Sequence, residues 1–247
     1  MEVHHPHHPT HKKKWSEYII EFIMLFTAVT LGFFAENIRE GIAEKQKKQE
    51  LLEAVVRDFE SDISEIQRHR QMIKHRYENC NDFIKILDLD YNQINKINFY
   101  RIAIWHAENK DLILNEKARN EAEAKGYFTN DDINELSTIV NKFNYYFNDY
   151  KEVNLGCLES CKRYLTNIIP NFLEPKLFLK TNFIWTNNAI TNDKDFQGTL
   201  NKPVSNKIKD QILFDIGSRK SLLLMELKDL DSLESFANKG ISIIKKN

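Results

Sequence analysis

Residues 52–87, LEAVVRDFESDISEIQRHRQMIKHRYENCNDFIKIL, carry the pattern that decides the fold. Leu52, Val56, Phe59, Ile63, Ile66, Arg70, Ile73, Tyr77, Cys80, Ile84 and Leu87 follow one another in alternating steps of 4 and 3 without a miss. That spacing lines them up along one stripe of an α-helix, the heptad signature of a helix packed along one face. Arg70 is the one charge in the stripe. Carried backwards, the same phase meets Ile42, Ile38, Ala35, Leu31, Ala28 and Met24, with Lys45 and Gln49 interrupting it.

A second seam runs Ile133, Leu136, Val140, Phe143, Phe147, Tyr150, Asn154, Cys157, Cys161, Tyr164, Ile168, and Pro170 and Pro175 end it. Pro203 opens a third helix through about Lys239. Its apolar residues (Ile208, Ile212, Leu213, Ile216, Leu222, Leu223, Leu227, Leu230, Leu233) form a broad set rather than a strict seam. The segment 88–95, DLDYNQIN, breaks the first pattern, and a weaker helical stretch follows at about 98–125. Gly126 is placed to end that stretch, and TNDD (129–132) offers a cap to the next helix. Residues 176–202 read as an irregular loop or short hairpin. The stretches 52–88, 131–169 and 204–244 would each be about 55–60 Å long as helices. Near-equal lengths suit antiparallel packing side by side. The expectation is an all-α chain: an elongated antiparallel bundle of three long helices plus a shorter one.

Composition agrees. The 247 residues include 7 Gly and 5 Pro, too few for the turns of sandwiches, barrels or α/β folds. A net charge of −1 gives no reason to expect a nucleic-acid surface. Three cysteines make neither a zinc framework nor a disulfide scaffold.

From Tyr18 to Ala35 the chain reads YIIEFIMLFTAVTLGFFA, with Glu21 its only charge. As a helix this run is about 27 Å long, close to the hydrocarbon thickness of a bilayer. It ends in GFFAEN rather than in small residues, so an uncleaved single-pass anchor is expected over 15–36, not a signal peptide. Residues 1–14 are a His/Lys-rich tail and 37–247 the bundle domain. Lys12, Lys13 and Lys14 favour an N-terminus in the cytoplasm and a bundle outside it. Lys45, Lys47 and Lys48 nearly balance that count, and the unpaired cysteines weigh the other way.

The stretch HPTHKKKWSEYIIEFIMLFTAVTLGFFAENIRE (8–40) resembles the start of an uncharacterised family of single-pass helical membrane proteins, a domain of unknown function common in Bacteroidota. A looser likeness is AEAKGYFTNDDINELSTIVNKFNYYFNDY (122–150), a Tyr-rich helix after a Gly-containing turn. The resemblance implies a helical inner-membrane protein of a Gram-negative bacterium. It implies no activity, and no catalytic residue is carried over.

The candidate chemistry is sparse. His4, His5, His7, His8 and His11 are weak candidates for metal binding, and their plainer role is a solvated tail at the headgroups. Glu21 is an intramembrane acid, either for proton coupling or for an interfacial or partner-facing contact. Ala28 and Gly32 are spaced for a close helix–helix contact. Arg70 is expected to reach out from a bundle edge. Cys157 and Cys161 are expected to face the core as small apolar residues. Glu65 with His69, and His75 with Glu78, lack the spacing and the partner helix of a di-iron site. Trp105-His106 has no nucleophile or acid at a telling spacing, and is expected to pack near a loop.

No catalysis, cofactor or nucleic-acid partner is expected. The functional expectation is a membrane-anchored interaction, scaffold or sensor-like module. Its partners would be the lipid bilayer and either proteins or further copies of itself. The alternative is an accessory subunit of an ion-driven membrane complex, with Glu21 as its intramembrane acid.

Overall fold

A computed structural model of the chain describes residues 14–107, 109–128, 134–174, 197–200 and 202–246. The His-rich tail, the TNDD cap and most of the 176–202 loop or hairpin lie outside the described residues. Helix α1 spans Trp15–Leu87, α2 Lys96–Trp105, α3 Lys117–Ala124, α4 Asn134–Arg163 and α5 Asn206–Lys246. Among the described residues there is no strand, only an isolated bridge between Asn95 and Thr199. The fold is all-α, as the seams predict. The chain divides into two compact units, Met1–Leu51 and Leu52–Asn247.

In the first unit α1 is long and apolar enough near its start to cross a membrane, and none of that apolar window is buried. Thr30 donates its hydroxyl to the Phe26 carbonyl at 2.7 Å, so this polar group of the run is satisfied within the helix. The charged register resumes with the Glu36–Arg39 ion pair.

In the second unit the chain runs up, down, up and down. Phe59 meets Phe143 and His69 meets Tyr150, so α4 runs parallel to α1. Lys245 meets Glu60, Glu234 meets Arg70 and Lys220 meets Asn81, so α5 runs antiparallel to α1. The descending segment between α1 and α4 is not the single helix expected at about 98–125. It is α2, then an extended strap at 109–116, then α3. Along the strap Leu112 and Leu114 are buried and Ile113 is 79% exposed, the period-2 alternation of extended backbone. Asn95 caps α2 by accepting from the Asn98 amide at 3.0 Å. Gly126, at φ 68°, ends α3 as its position predicts. The Tyr127 amide reaches back to the Ala122 carbonyl and the Gly126 amide to that of Glu123, both at 2.9 Å, a Schellman closure.

The second seam is buried throughout its described length, from Leu136 to Ile168. Ahead of Pro170, α4 widens into a π-helical turn, Tyr164–Ile168. The other two seams differ from expectation in the same way. On α1 the buried series is Phe59, Asp62, Ile66, His69, Ile73, Arg76, Cys80, Phe83, Leu87. It shares every seventh residue with the predicted stripe, but Ile63, Arg70, Tyr77 and Ile84 are only half-buried. Arg70 and Tyr77 meet Asp231, Glu234 and Lys220 of α5, while Asp62, His69, Arg76 and Phe83 meet the strap, α4 and α2. A helix with several neighbours buries a broader stripe than a two-helix seam does. On α5 the broad set resolves into a strict seam: Ile212, Ile216, Arg219, Leu223, Glu226, Leu230, Leu233, Ala237, Gly240. Arg219 and Glu226 hid it from a hydrophobicity pattern.

Gly240 holds its place for a steric reason. A β-carbon there would lie 2.8 Å from Cε2 of Phe59, whose ring is itself fully buried. Gly240→Ala is therefore expected to destabilise by about 1–3 kcal/mol through overpacking, despite the better helix propensity of alanine. Urea denaturation followed by far-UV circular dichroism would measure it, and an unchanged midpoint would mean that Phe59 gives way freely.

Candidate functional site

The polar residues in the seams gather into three buried clusters. In the first, Asp62 accepts from Arg119 Nη1 at 2.6 Å, from the Asn115 amide at 2.8 Å and from Asn115 Nδ2 at 3.2 Å. The Arg119 guanidinium also lies over the Phe59 and Phe143 rings, 4.9 and 4.5 Å from their centroids. Burial pushes the Asp62 carboxyl above its ordinary range, and the Asn115 amide and Arg119 pull it partly back. A polar hollow of about 500 Å³ opens beside this cluster, between Ser61, Glu65 and Arg68 of α1 and Ile113 and Asn115 of the strap.

In the second cluster the Tyr150 hydroxyl lies 2.6 Å from His69 Nε2. Arg76 donates to Asn109 Oδ1 at 3.0 Å, Asn109 donates to Asn154 Oδ1 at 2.8 Å, and Asn154 donates to Asp111 at 2.6 Å. This chain of polar side chains ties the strap to α1 and α4, in addition to the buried Leu112 and Leu114. Burial pulls His69 down to about 4, so its imidazole is neutral and shares one hydrogen bond with the Tyr150 hydroxyl at Nε2. A histidine depressed by the fold contributes stability that is complete above its unfolded value near 6.5. That stability is lost as pH falls toward 4. The advantage of the unaltered chain over His69→Gln is expected to shrink by about 3 kcal/mol between pH 7 and pH 4. Asp62, Glu226 and Asp229, all raised by burial, shift total stability the other way. Only the difference between the two chains isolates His69, and paired urea titrations at the two pH values would read it.

The third cluster unites four segments. His106 Nε2 donates to Asp215 Oδ2 at 2.9 Å, and Ser160 donates to Asp215 Oδ1 at 3.0 Å. Cys80 Sγ lies 3.7 Å from His106 Nδ1. Arg219 Nη1 donates to Cys161 Sγ. The His106 ring stands edge-on to Tyr164, centroids 4.8 Å apart. Glu226 is fully buried, and burial holds its carboxyl above the ordinary range against the Cys157 hydrogen bond and the Arg76 and Arg219 charges, which pull it down.

Cys80, His106 and Asp215 stand in the order nucleophile, base, orienter. Their environment assigns them differently. Burial pushes the Cys80 thiol up to about 11 and the His106 imidazole down. A neutral thiol therefore donates to a neutral imidazole, which donates to the carboxylate. All three side chains are buried, and the hollow beside Asp62 does not include them. The trio locks α1, α2 and α5 together.

Among the described residues no three His, Cys, Asp or Glu side chains are grouped to hold a metal ion. Glu21, Ala28 and Gly32 all lie on the exposed helix of the first unit. The five tail histidines, His4, His5, His7, His8 and His11, lie outside the described residues. Arg70 does work from an edge, bonding Asp231 at 3.0 Å and Glu234 at 2.6 Å. Cys157 and Cys161 do face the core. Glu65 pairs with Arg68, at 2.9 Å from Nε, and the His75 ring lies tilted beside Trp105, centroids 6.0 Å apart. His106 packs in the core at the end of α2, beside the strap, as expected; its partners Cys80 and Asp215 lie 26 residues before and 109 after it, beyond the reach of a local pattern.

Family models, curated proteins and solved structures yield no match to this chain.

Proposed function

We propose that the chain is a single-pass inner-membrane protein whose bundle acts as a non-catalytic interaction, scaffold or sensor-like module. The observation that carries the proposal is the uncovered apolar helix at the start of α1, in a chain whose three cysteines and Cys80–His106–Asp215 trio are all buried. The likeness of residues 8–40 to the anchored family described above supports the same reading. In it the tail faces the cytoplasm and residues 37–247 lie outside, with proteins or further copies of the chain as partners. Two measurements test it: membrane fractions washed with alkaline carbonate, and a topology reporter fused after Asn247. The expected result is retention in the pellet with a non-cytoplasmic reporter signal. Release by carbonate would overturn the anchor, and a cytoplasmic signal would overturn the orientation.

A second reading rests on the acid within the apolar run. Glu21 there would serve an accessory subunit of an ion-driven complex. Glu21→Gln should then abolish function at normal insertion and abundance, and function that survives removes this reading.

A further inference from the structure

The outer face of α5 carries an apolar patch that none of the described residues covers. Phe214 is 81% exposed, Leu224 51% and Met225 50%, and Leu213 is also exposed. Between them lie Gly217, with nothing within 4 Å of where its β-carbon would be, and Ser221. The Ser221 hydroxyl is turned back onto the Gly217 carbonyl at 3.2 Å, so the hollow between the large side chains presents little polarity. The two cations within this stretch point elsewhere, Arg219 into the core and Lys220 onto Asn81 of α1. A patch of this kind on a single face marks an interaction site.

Its order along the helix says what covers it. Gly217 and Ser221 are equidistant from position 219, as are Phe214 and Leu224, Leu213 and Met225, and Asp210 and Lys228. Asp210, Gly217, Ser221 and Lys228 are all exposed, and a turn of about 100° per residue puts them along the midline of the patch. A second α5 laid antiparallel, with a two-fold axis at the level of residue 219, sets large apolar side chains against large ones on either side of a small-residue crossing. It also sets Asp210 of each copy opposite Lys228 of the other. A parallel pair would instead oppose Asp210 to Asp210 and Lys228 to Lys228. Isologous pairing needs a surface that is its own complement, and this one is so in the order of its large and small side chains and of its charges.

We propose that two copies of this chain pair antiparallel through the Asp210–Lys228 face of α5. The pairing rests on the reading of the bundle as an interaction module and names its partner as the chain itself. Sedimentation equilibrium of the full chain in detergent tests it. The unaltered chain is expected to dimerise, and Phe214→Glu to weaken the dimer at least about 100-fold with unchanged helicity, since Phe214 supports nothing inside the bundle. Asp210→Lys and Lys228→Asp should each weaken it about 10-fold, because each breaks two symmetry-related pairs. The double variant, with charges exchanged, should return to within about 3-fold of the unaltered chain. A chain monomeric at every concentration, a dimer indifferent to Phe214→Glu, or a double variant no tighter than the single ones would each overturn the proposal. Carbonate extraction is indifferent to these substitutions, so failure here is distinct from failure of the anchor.

Discussion

Arg119→Ala is expected to lower the unfolding free energy by about 3–5 kcal/mol, a large fraction of the total for a domain of this size. The guanidinium is 1% exposed and, among the described residues, is the cation that meets Asp62, at 2.6 Å. Truncation removes that bond and leaves a carboxylate in a site where burial already works against its charge. It also empties the slot between the Phe59 and Phe143 rings, whose attraction for a desolvated guanidinium is about 1–2 kcal/mol. The cause of the loss can be separated. Removing one member of a buried pair is costly, whereas replacing both by apolar groups of similar volume is often nearly neutral. The double variant Arg119→Met with Asp62→Leu should therefore recover most of the stability. Asn115, which also bonds Asp62, is exposed enough for water to replace the acid. Urea titrations of Arg119→Met, Asp62→Leu and the double variant form the cycle. A double variant as unstable as Arg119→Ala would mean that the strap's own hydrogen bonds carry the cost.

The same cluster shows where sequence patterns stop. The α4 seam was legible because its core positions are mostly apolar, down to the thiols of Cys157 and Cys161. The α1 and α5 seams have polar residues in core positions. Asp62, His69 and Arg76 recur every seven residues, interleaved with Ile66, Ile73 and Cys80. Arg219 and Glu226 do the same on α5, between Ile216, Leu223 and Leu230. A hydrophobicity pattern treats each as a surface residue and shifts to the nearest apolar neighbour. It therefore placed Ile63 and Tyr77 in the α1 seam and found none on α5. Seven-residue recurrence of polar residues in phase with apolar ones was the available signal. The strap gave less warning. Its pegs, Asn109, Asp111 and Asn115, sit in a segment with no period until its extended backbone is known. Their partners lie 33 to 53 residues away. The Cys80–His106–Asp215 trio was illegible for the same reason, because three distant segments supply it.

Asp215→Leu is expected to cost about 3 kcal/mol and to open the bundle to thiol reagents. The carboxylate accepts from His106 and from Ser160, so an apolar replacement leaves two buried donors without that partner. Each such group costs about 1–3 kcal/mol. Cys80 reports the consequence. In the intact fold its thiol is covered and held up to about 11, so iodoacetamide at about pH 7.5 should reach it only through unfolding. When opening is fast relative to alkylation, labelling tracks the population of the open form. A loss near 3 kcal/mol then accelerates it by about 100-fold. Cys80→Ala serves as the control. It removes the reporter and one weak bond, and should destabilise far less than Asp215→Leu. Rapid alkylation of Cys80 in the unaltered chain, at a rate independent of urea at low concentration, would instead identify an accessible thiolate. The trio would then be a poised nucleophile. Slow alkylation that rises with urea and with Asp215→Leu identifies a lock, in which histidine and acid fix one tautomer and one packing. That outcome follows from burial, which outweighs the pull of Arg219 and Lys220 on the Cys80 thiol and leaves it beside a neutral imidazole.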